Sequence, residues 1–219
     1  MKNPINEFIP KNNISISSND LISNYSKNIN ENDTHLNSLK LDKQKMEFNI
    51  LILGIDNSGK TTLFKYLTKQ DYKNTIPTPG MNHESVQIGR YKFNLYDING
   101  TKSVRYYYWN NYYENVDALI YAVDASDKER IQENYEVVQG ILKEKNLLGI
   151  PFLFFANKSD LSDSLYPDEI IEGLKLCDIE GRPWSLYSCS FLKCIGIKDG
   201  FEWLLYKLNL EDALKEIFA

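Results

Sequence analysis

The spacing of apolar and polar residues divides this chain into two zones. Up to about residue 45, Asn, Ser, Lys and Asp predominate, and isoleucines are scattered without a period. Such a stretch buries too little surface to offset the entropy of ordering, so residues 1–45 are expected to form an Asn-rich, disordered N-terminal extension. The alternative is a partner- or membrane-binding helix on Ile5, Phe8, Ile9, Leu21 and Ile22. Pro4 and Pro10 interrupt that stripe, and its cationic face is thin. Over residues 46–219 the pattern is that of a folded domain. Phe48–Leu53 is a short continuous apolar run, the mark of a strand buried on both faces. A helix is predicted from about Lys60 to Lys69. Ser85–Ile88 and Tyr91–Tyr96 read as a hairpin joined at Gly89, and Ala118–Val123, Phe152–Ala156 and Trp184–Ser188 as further buried strands. Helical stretches fall near 128–145, 167–177 and 200–217, the last with Phe201, Leu204, Leu205 and Leu208 on one face. Six strands with interleaved helices predict a three-layer α/β domain with a six-stranded, mostly parallel sheet. In such sheets ligands bind beyond the carboxyl ends of the strands.

Composition narrows the function classes. A chain of 219 residues suits one ordinary domain plus a segment, and 42% apolar residues are enough for a core. A net charge of −5 gives no basic footprint for nucleic acid. Three cysteines without paired spacing argue against a disulfide framework and for a reducing, cytoplasmic setting. Two histidines, His35 and His83, without Cys-x-x-Cys spacing make structural zinc unlikely to assemble. No apolar run approaches the ~20 residues of a membrane helix. Neither a signal peptide, a Gly at position 2 for myristoylation, nor a prenylation cysteine before Ala219 is present, so any peripheral contact with intracellular membranes is expected to work without lipidation.

Chemistry concentrates at the predicted strand ends. Gly54-Ile55-Asp56-Asn57-Ser58-Gly59-Lys60-Thr61 fits G-x-x-x-x-G-K-[ST] between a buried strand and a helix. Glycines let the backbone curl so that its N–H groups face phosphate oxygens, and the helix start adds its positive dipole end. Lys60 supplies a full charge, and the Thr61 hydroxyl is a hard ligand for Mg²⁺. The pattern alone does not choose the base or the reaction. Asn157-Lys158-Ser159-Asp160 follows a buried strand, and there the Asp160 carboxylate can accept from both guanine N1–H and the 2-amino group. Adenine would leave that carboxylate unpaired. Asn157 can fix the base edge and the loop, while the Lys158 stem can lie along the ring. Ser188-Cys189-Ser190, after the last strand, is placed for backbone N–H groups to meet the guanine oxygen. Asp97-Ile98-Asn99-Gly100 follows another strand: Asp97 can hold Mg²⁺ through water, and Gly100 can offer its N–H to a γ-phosphate. Thr78, in the proline-marked loop Thr75–Gly80, is placed to complete the Mg²⁺ shell.

With these residues in view, the chain resembles the Arf/Arl branch of Ras-like small GTPases over about residues 47–217. The resemblance rests on Gly54–Thr62, Thr75–Asn82, Asp97–Gly100, Arg105 with Trp109 and Tyr112, Val123-Asp124, Asn157–Asp160 and Ser188–Ser190. Sar-type GTPases match less well around Thr78 and Trp109. It implies a P-loop, Ras-like G domain that acts as a monomeric GTP/GDP switch, commonly in membrane traffic. It implies a nucleotide held by Gly54, Ile55, Asp56, Asn57, Ser58, Gly59, Lys60, Thr61, Thr62, Thr78, Asp97, Gly100, Asn157, Lys158, Asp160, Cys189 and Ser190, with Thr61 and Thr78 as metal ligands. Effector, exchange-factor and activating proteins would read the two switch loops.

The chain also departs from that pattern. The family usually has Gly-Gly-Gln where Asn99-Gly100-Thr101 stands, and the Gln normally orients the attacking water. Thr101 is too short for that reach, so hydrolysis is expected to be slow. Tyr106-Tyr107-Tyr108 makes the stretch between Asp97 and Trp109 one residue longer. Tyr96 replaces a usual Trp and Met81 a usual Phe. The tyrosine cluster is either packing or an exposed partner patch. Acidic residues such as Glu129 and Glu133 read as a solvated helix face. The expected function is a slow GTPase switch, with a non-hydrolysing GTP-binding scaffold as the alternative. A P-loop kinase or ATPase lacks support, having no Arg-rich lid.

Overall fold

The computed structural model describes residues 45–213. The extension expected over residues 1–45 lies outside the described residues except for Lys45, as does the helical stretch beyond 213. The strands are β1 (Glu47–Leu53), β2 (Met81–Ile88), β3 (Tyr91–Ile98), β4 (Ala118–Asp124), β5 (Phe152–Asn157) and β6 (Trp184–Ser188). The helices are α1 (Lys60–Leu67), α2 (Lys102–Tyr108), α3 (Ile131–Leu142), α4 (Pro167–Leu174) and α5 (Ile197–Lys207). One six-stranded sheet runs β2-β3-β1-β4-β5-β6. Only β2 is antiparallel to its neighbour.

The continuous apolar runs fill both faces of this sheet, because successive side chains on a strand point to opposite sides. Ile50 and Ile52 of β1, with Leu153 and Phe155 of β5, enter one core beside Leu63 and Phe64 of α1 and Phe201, Leu204 and Leu205 of α5. Leu51 and Leu53, with Phe152 and Phe154, enter the other beside Val138 and Ile141 of α3 and Ile170 and Leu174 of α4. The three-layer α/β architecture is therefore the one expected. The parallel strands β1, β3, β4 and β5 end together at Leu53, Ile98, Asp124 and Asn157, and each end feeds one of the predicted motifs.

Element limits differ from expectation where hydrophobic periodicity is weak. β2 begins at Met81, four positions before Ser85, because its ladder with β3 continues to Met81↔Ile98. It is an edge strand whose side chains are mostly exposed, so alternation does not announce it. α1 stops at Leu67 and Lys69 turns to φ 57°, while α4 stops at Leu174 because Lys175 adopts φ 52°. α5 starts at Ile197, directly after Gly196 at φ 72°. Helix α2 was not expected at all: it has no buried residue and so no apolar stripe to reveal it.

Phe155 sits at the centre of the first core, fully buried, with ring centroids 5.4 Å from Phe191 and 6.1 Å from Phe201. Gly200 packs against it so closely that an added Cβ would lie 2.5 Å from the ring. Phe155→Ala should lower stability by about 3–5 kcal/mol. Urea unfolding at fixed nucleotide concentration measures this, and a change within 1 kcal/mol would contradict the packing described (~1 kcal/mol being typical of a surface change).

Candidate functional site

β1 ends against α1 through a loop that only glycine can make at two points. Gly54 has φ 143°, and a Cβ there would lie 2.4 Å from the Ala122 carbonyl oxygen. Gly59, at φ 93°, precedes α1 without any side-chain cap, and its Cβ would lie 2.3 Å from Asn157 Nδ2. An uncapped helix start leaves the N–H groups of the first turn for a ligand. Lys60 is only 6% exposed, and its Nζ donates to the Ile55 carbonyl at 2.8 Å. Burial brings its pKa down to about 8, against an opposing pull from Asp97. Gly54, Ile55 and Ser58, expected as nucleotide contacts, are buried members of this loop. Ile55 and Ser58 are fully buried, and Ser58 Oγ has no hydrogen-bond partner among the described residues. Asp56 carries an ion pair to Arg130 at 3.3 Å, a contact the sequence did not suggest.

The two predicted metal ligands meet. Thr61 Oγ1 and Thr78 Oγ1 are 2.9 Å apart, and both hydroxyls donate to Asp97 Oδ2, at 2.7 and 3.2 Å. Asn82 Nδ2 adds a third donor to that oxygen at 2.9 Å. Asp97 is fully buried and its Oδ1 has no partner among the described residues. Two hydroxyls and a carboxylate are hard oxygen donors, and 2.9 Å is the edge length of an octahedron with bonds of about 2.0–2.1 Å. The set fits Mg²⁺. It holds no group of three or more His, Cys, Asp or Glu side chains among the described residues, so most of a cation's charge balance would come from phosphates.

At the other end, Asn157 is buried and spends both halves of its amide inside the protein. Its Nδ2 donates to the Ser58 carbonyl at 2.8 Å, and its Oδ1 accepts from the Phe191 N–H at 2.9 Å. Lys158, at φ 64°, pairs with Asp124, which also caps the Ser126 N–H at 3.0 Å. A hydrogen bond from Ser190, then the Lys193 ammonium 3.0 Å away, hold Asp160 below the usual carboxylate range. Asp160 is therefore an ionised acceptor at neutral pH. Cys189 is a correction. It is fully buried, its N–H is committed to the Ala156 carbonyl at 2.9 Å, and burial pushes its thiol pKa up. β6 ends at Ser188 as read from sequence, but Cys189 adds one more bond to Ala156 beyond it, and the residues that line the cavity with Asp160 are Ser190, Phe191 and Leu192.

The segment after β3 is pressed onto the phosphate-binding loop. A Cβ on Gly100 would lie 2.4 Å from the Gly54 carbonyl oxygen and 2.6 Å from Lys60 Nζ. Arg105 Nη1 donates to the Gly100 carbonyl at 2.7 Å, and its Nη2 pairs with Glu133. Glu133 is thus a partner of this loop, not the solvated residue expected. Trp109 Nε1 donates to the Asn99 carbonyl at 3.0 Å. Tyr106, Tyr107 and Tyr108 are 77%, 67% and 56% exposed, which decides for the surface reading of that cluster, while Tyr113 is buried. Tyr96 stacks on His83 with centroids 4.5 Å apart.

One cavity of about 580 Å³ joins these parts. Asp56, Asn57, Gly59, Lys60, Thr61 and Thr62 line one end, Asn157, Lys158, Asp160 and Ser190 the other, with Thr78, Gly100 and Thr101 along the side. Tyr72, Lys73, Leu161, Phe191 and Leu192 also line it and were not singled out from sequence. Asp97 lies behind Thr61 and Thr78 rather than in the wall. The profile of the ADP-ribosylation factor family matches residues 34–208. The chain belongs to that family. Its relatives include ADP-ribosylation factor-like protein 3 of Chlamydomonas reinhardtii, 41% identical over 77% of this chain and 95% of the relative. The Caenorhabditis elegans protein of the same name is 42% identical over 78% and 91% of the two chains. The Arl6 BBS3 small GTPase from Trypanosoma brucei, solved with bound GppNp, superposes with a TM-score of 0.70 at 32% identity, covering 75% of this chain and 99% of that one. The chain is thus a GTP-binding small GTPase of the Arf family, and members of that family bind GTP and GDP.

The depressed Lys60 pKa has a measurable sign. Phosphates favour the charged ammonium, so binding returns Lys60 towards its ordinary value of 10.5 and takes up protons at pH values between about 8 and that limit. Affinity for GDP should therefore fall as pH rises through this window. Calorimetry in two buffers of different ionisation enthalpy should show proton uptake at about pH 8.5 and little at about pH 6.5, where the lysine is already charged. No uptake at the higher pH would contradict the buried-lysine description.

Proposed function

We propose that the cavity is a guanine-nucleotide site and that the protein is a switch of the Arf/Arl type with slow intrinsic hydrolysis. The observation that carries this reading is the single cavity running from Lys60 and Thr61 to Asp160. In this reading Lys60 and the uncapped start of α1 would form a phosphate cradle at one end, and the ionised Asp160 carboxylate an acceptor at the other. In this reading the first-turn amides of α1 and the Lys60 ammonium bind the β- and γ-phosphates. Asp160 accepts from the base edge, the Lys158 stem covers the ring, and Asn157 holds the two ends at fixed separation. Thr61 and Thr78 would hold Mg²⁺, with Asp97 behind them. The ion would neutralise charge on the β- and γ-phosphate oxygens.

The residues 46–219 form the G domain in this proposal, and 1–45 an extension to it. Partner proteins are read in the GTP state through the two loops and the β2–β3 hairpin, and the cellular role we assign is membrane traffic, on family membership alone. The exposed Ile76 and Tyr106–Tyr108 supply apolar contact area at the loops. Among the described residues no helix is long and apolar enough to cross a membrane, so membrane contact in this reading is peripheral.

Thr101 is the residue on which the expected slow turnover rests. It stands at the start of α2 in the cavity wall without a side-chain capping bond, and its N–H is held by Asn99 Oδ1 at 2.7 Å. Its side chain is too short to position a water as a longer amide would. A non-hydrolysing scaffold is the second reading, favoured by the same residue.

Two measurements test the proposal. GTP and GDP should bind far more tightly than ATP, and Asp160→Asn should weaken GTP binding by roughly a hundredfold or more. If ATP competes equally with GTP in the parent protein, the base assignment fails. Single-turnover γ-phosphate release should be slow, and Thr101→Gln should raise it by roughly tenfold or more. Fast release by the parent protein would refute the role given to Thr101, while no gain in the variant would shift the blame to the extra residue at Tyr106–Tyr108.

A further inference from the structure

The loop after β6 is tied to the rest of the site at two places. Asn157 makes the inner tie, between the Phe191 N–H and the phosphate-binding loop. The outer tie lies further along. Ser190 and Ile195 exchange backbone hydrogen bonds of 3.0 and 3.1 Å, so residues 190–195 form a closed turn of chain. Within it, adjacent side chains reach different neighbours. The Lys193 ammonium lies 3.0 Å from Asp160, and the Cys194 thiol donates to the Tyr72 hydroxyl at 3.2 Å. The thiol's other acceptor, the Phe191 carbonyl, is 3.8 Å away, so Tyr72 is its closer partner. Cys194 stands at φ 57°, a left-handed conformation that costs a side-chain-bearing residue more than glycine, and it presents its thiol from there. Tyr72 belongs to the segment that leaves α1, is half-buried, and lines the cavity. Two contacts hold that segment to the helix. The rings of Tyr66 and Tyr72 meet edge to face with centroids 5.5 Å apart, and Lys65 Nζ donates to the Asn74 carbonyl at 2.9 Å.

We infer that Tyr72 and Cys194 form a clasp between the segment after α1 and the loop after β6, and that this clasp slows release of the bound nucleotide. The inference rests on the guanine-nucleotide reading and deepens it by naming two positioning residues for that site. Residues from Tyr72 to Thr78 line one side of the cavity, and Ser190, Phe191 and Leu192 line another. A ligand between them leaves when the two sides part. Such a local opening must break the Tyr72–Cys194 bond, so the bond adds to the barrier for dissociation. Asn157 cannot do this work, because it ties the same loop to the phosphate-binding loop and not to the segment after α1. The clasp lies beside the Lys193–Asp160 pair, at the end assigned to the base. GDP and GTP are identical there, so the clasp leaves the Thr78 loop free to respond to a third phosphate.

Stopped-flow dissociation of a fluorescent GDP from the full chain, chased with excess unlabelled GDP, tests this in the wild type, Tyr72→Phe, Cys194→Ala and the double variant. Tyr72→Phe removes only the hydroxyl and keeps the ring and its contact with Tyr66. Each single variant should release the nucleotide roughly three- to tenfold faster, the range expected for the loss of one hydrogen bond. The double variant should match the singles within about twofold, since one contact can be lost only once. Unchanged release in Tyr72→Phe overturns the inference and marks the tyrosine as packing alone. A double variant whose effect is the product of the two singles also overturns it, because the residues would then act independently. An equilibrium titration with the same nucleotide comes first. No binding by the wild type refutes the guanine-nucleotide reading and the clasp with it, whereas tight binding with unchanged release in the variants refutes the clasp alone.

Discussion

The buried side chain of Asn157 is the constraint on which the site depends. One amide bonds the phosphate loop through the Ser58 carbonyl and the base loop through the Phe191 N–H. An amide is suited to this because it is donor and acceptor at once, in one plane and at fixed separation. Both groups it satisfies are buried backbone polar groups, which would be costly to leave unpaired. The backbone of Gly59 must come within contact of that amide, which is why a side chain at 59 is excluded. The loop, the helix start and the base wall therefore form one rigid body, and the parallel strand ends fix it to the sheet.

The opposite side of the cavity is organised differently. Asp97 collects three donors on one oxygen, from Thr61 of α1, Thr78 of the Thr75–Gly80 loop and Asn82 of β2, and its other oxygen has no partner among the described residues. This arrangement is satisfied on one side and incomplete on the other, so it is a place where an arriving group changes the balance. Arg105 and Trp109 hold the second loop from behind through the carbonyls of Gly100 and Asn99. One half of the site is a fixed frame, and the other is a hinge of hydrogen bonds that can be remade.

Much of this was legible in the sequence because the signals are short-range. The strands β1, β4 and β5 are continuous apolar runs, since both of their faces are covered, and the phosphate loop has fixed residues at fixed spacing. What stayed hidden depended on long-range geometry. Cys189 looked like a base contact because it follows a strand, but it is buried and bonded to Ala156, and the cavity wall is formed by Ser190 and Phe191. Counting the ladder one bond further would have found it. Glu133 looked solvated because helix periodicity cannot see Arg105 approaching from another element. In the sequence Asn82 is only the end of the Thr75–Asn82 match, and as one polar residue on an edge strand it gave no sign of its bond to Asp97. Asn99 did give one, as a departure from the expected Gly, but its bonding pattern needs the two loops in place.

The buried ammonium of Lys60 carries a wider consequence. A charge held in a dry site raises the free energy of the folded chain until an anion arrives. The ligand is then in effect a component of the fold, and its concentration becomes a variable of protein stability. A free ligand at a hundred times its dissociation constant adds about 2.7 kcal/mol, a sizeable share of the 5–15 kcal/mol that a typical domain has in total. The lifetime of the chain against unfolding and proteolysis is thereby tied to the guanine-nucleotide pool. A residue placed to grip phosphate also sets how much of the fold's stability depends on its ligand.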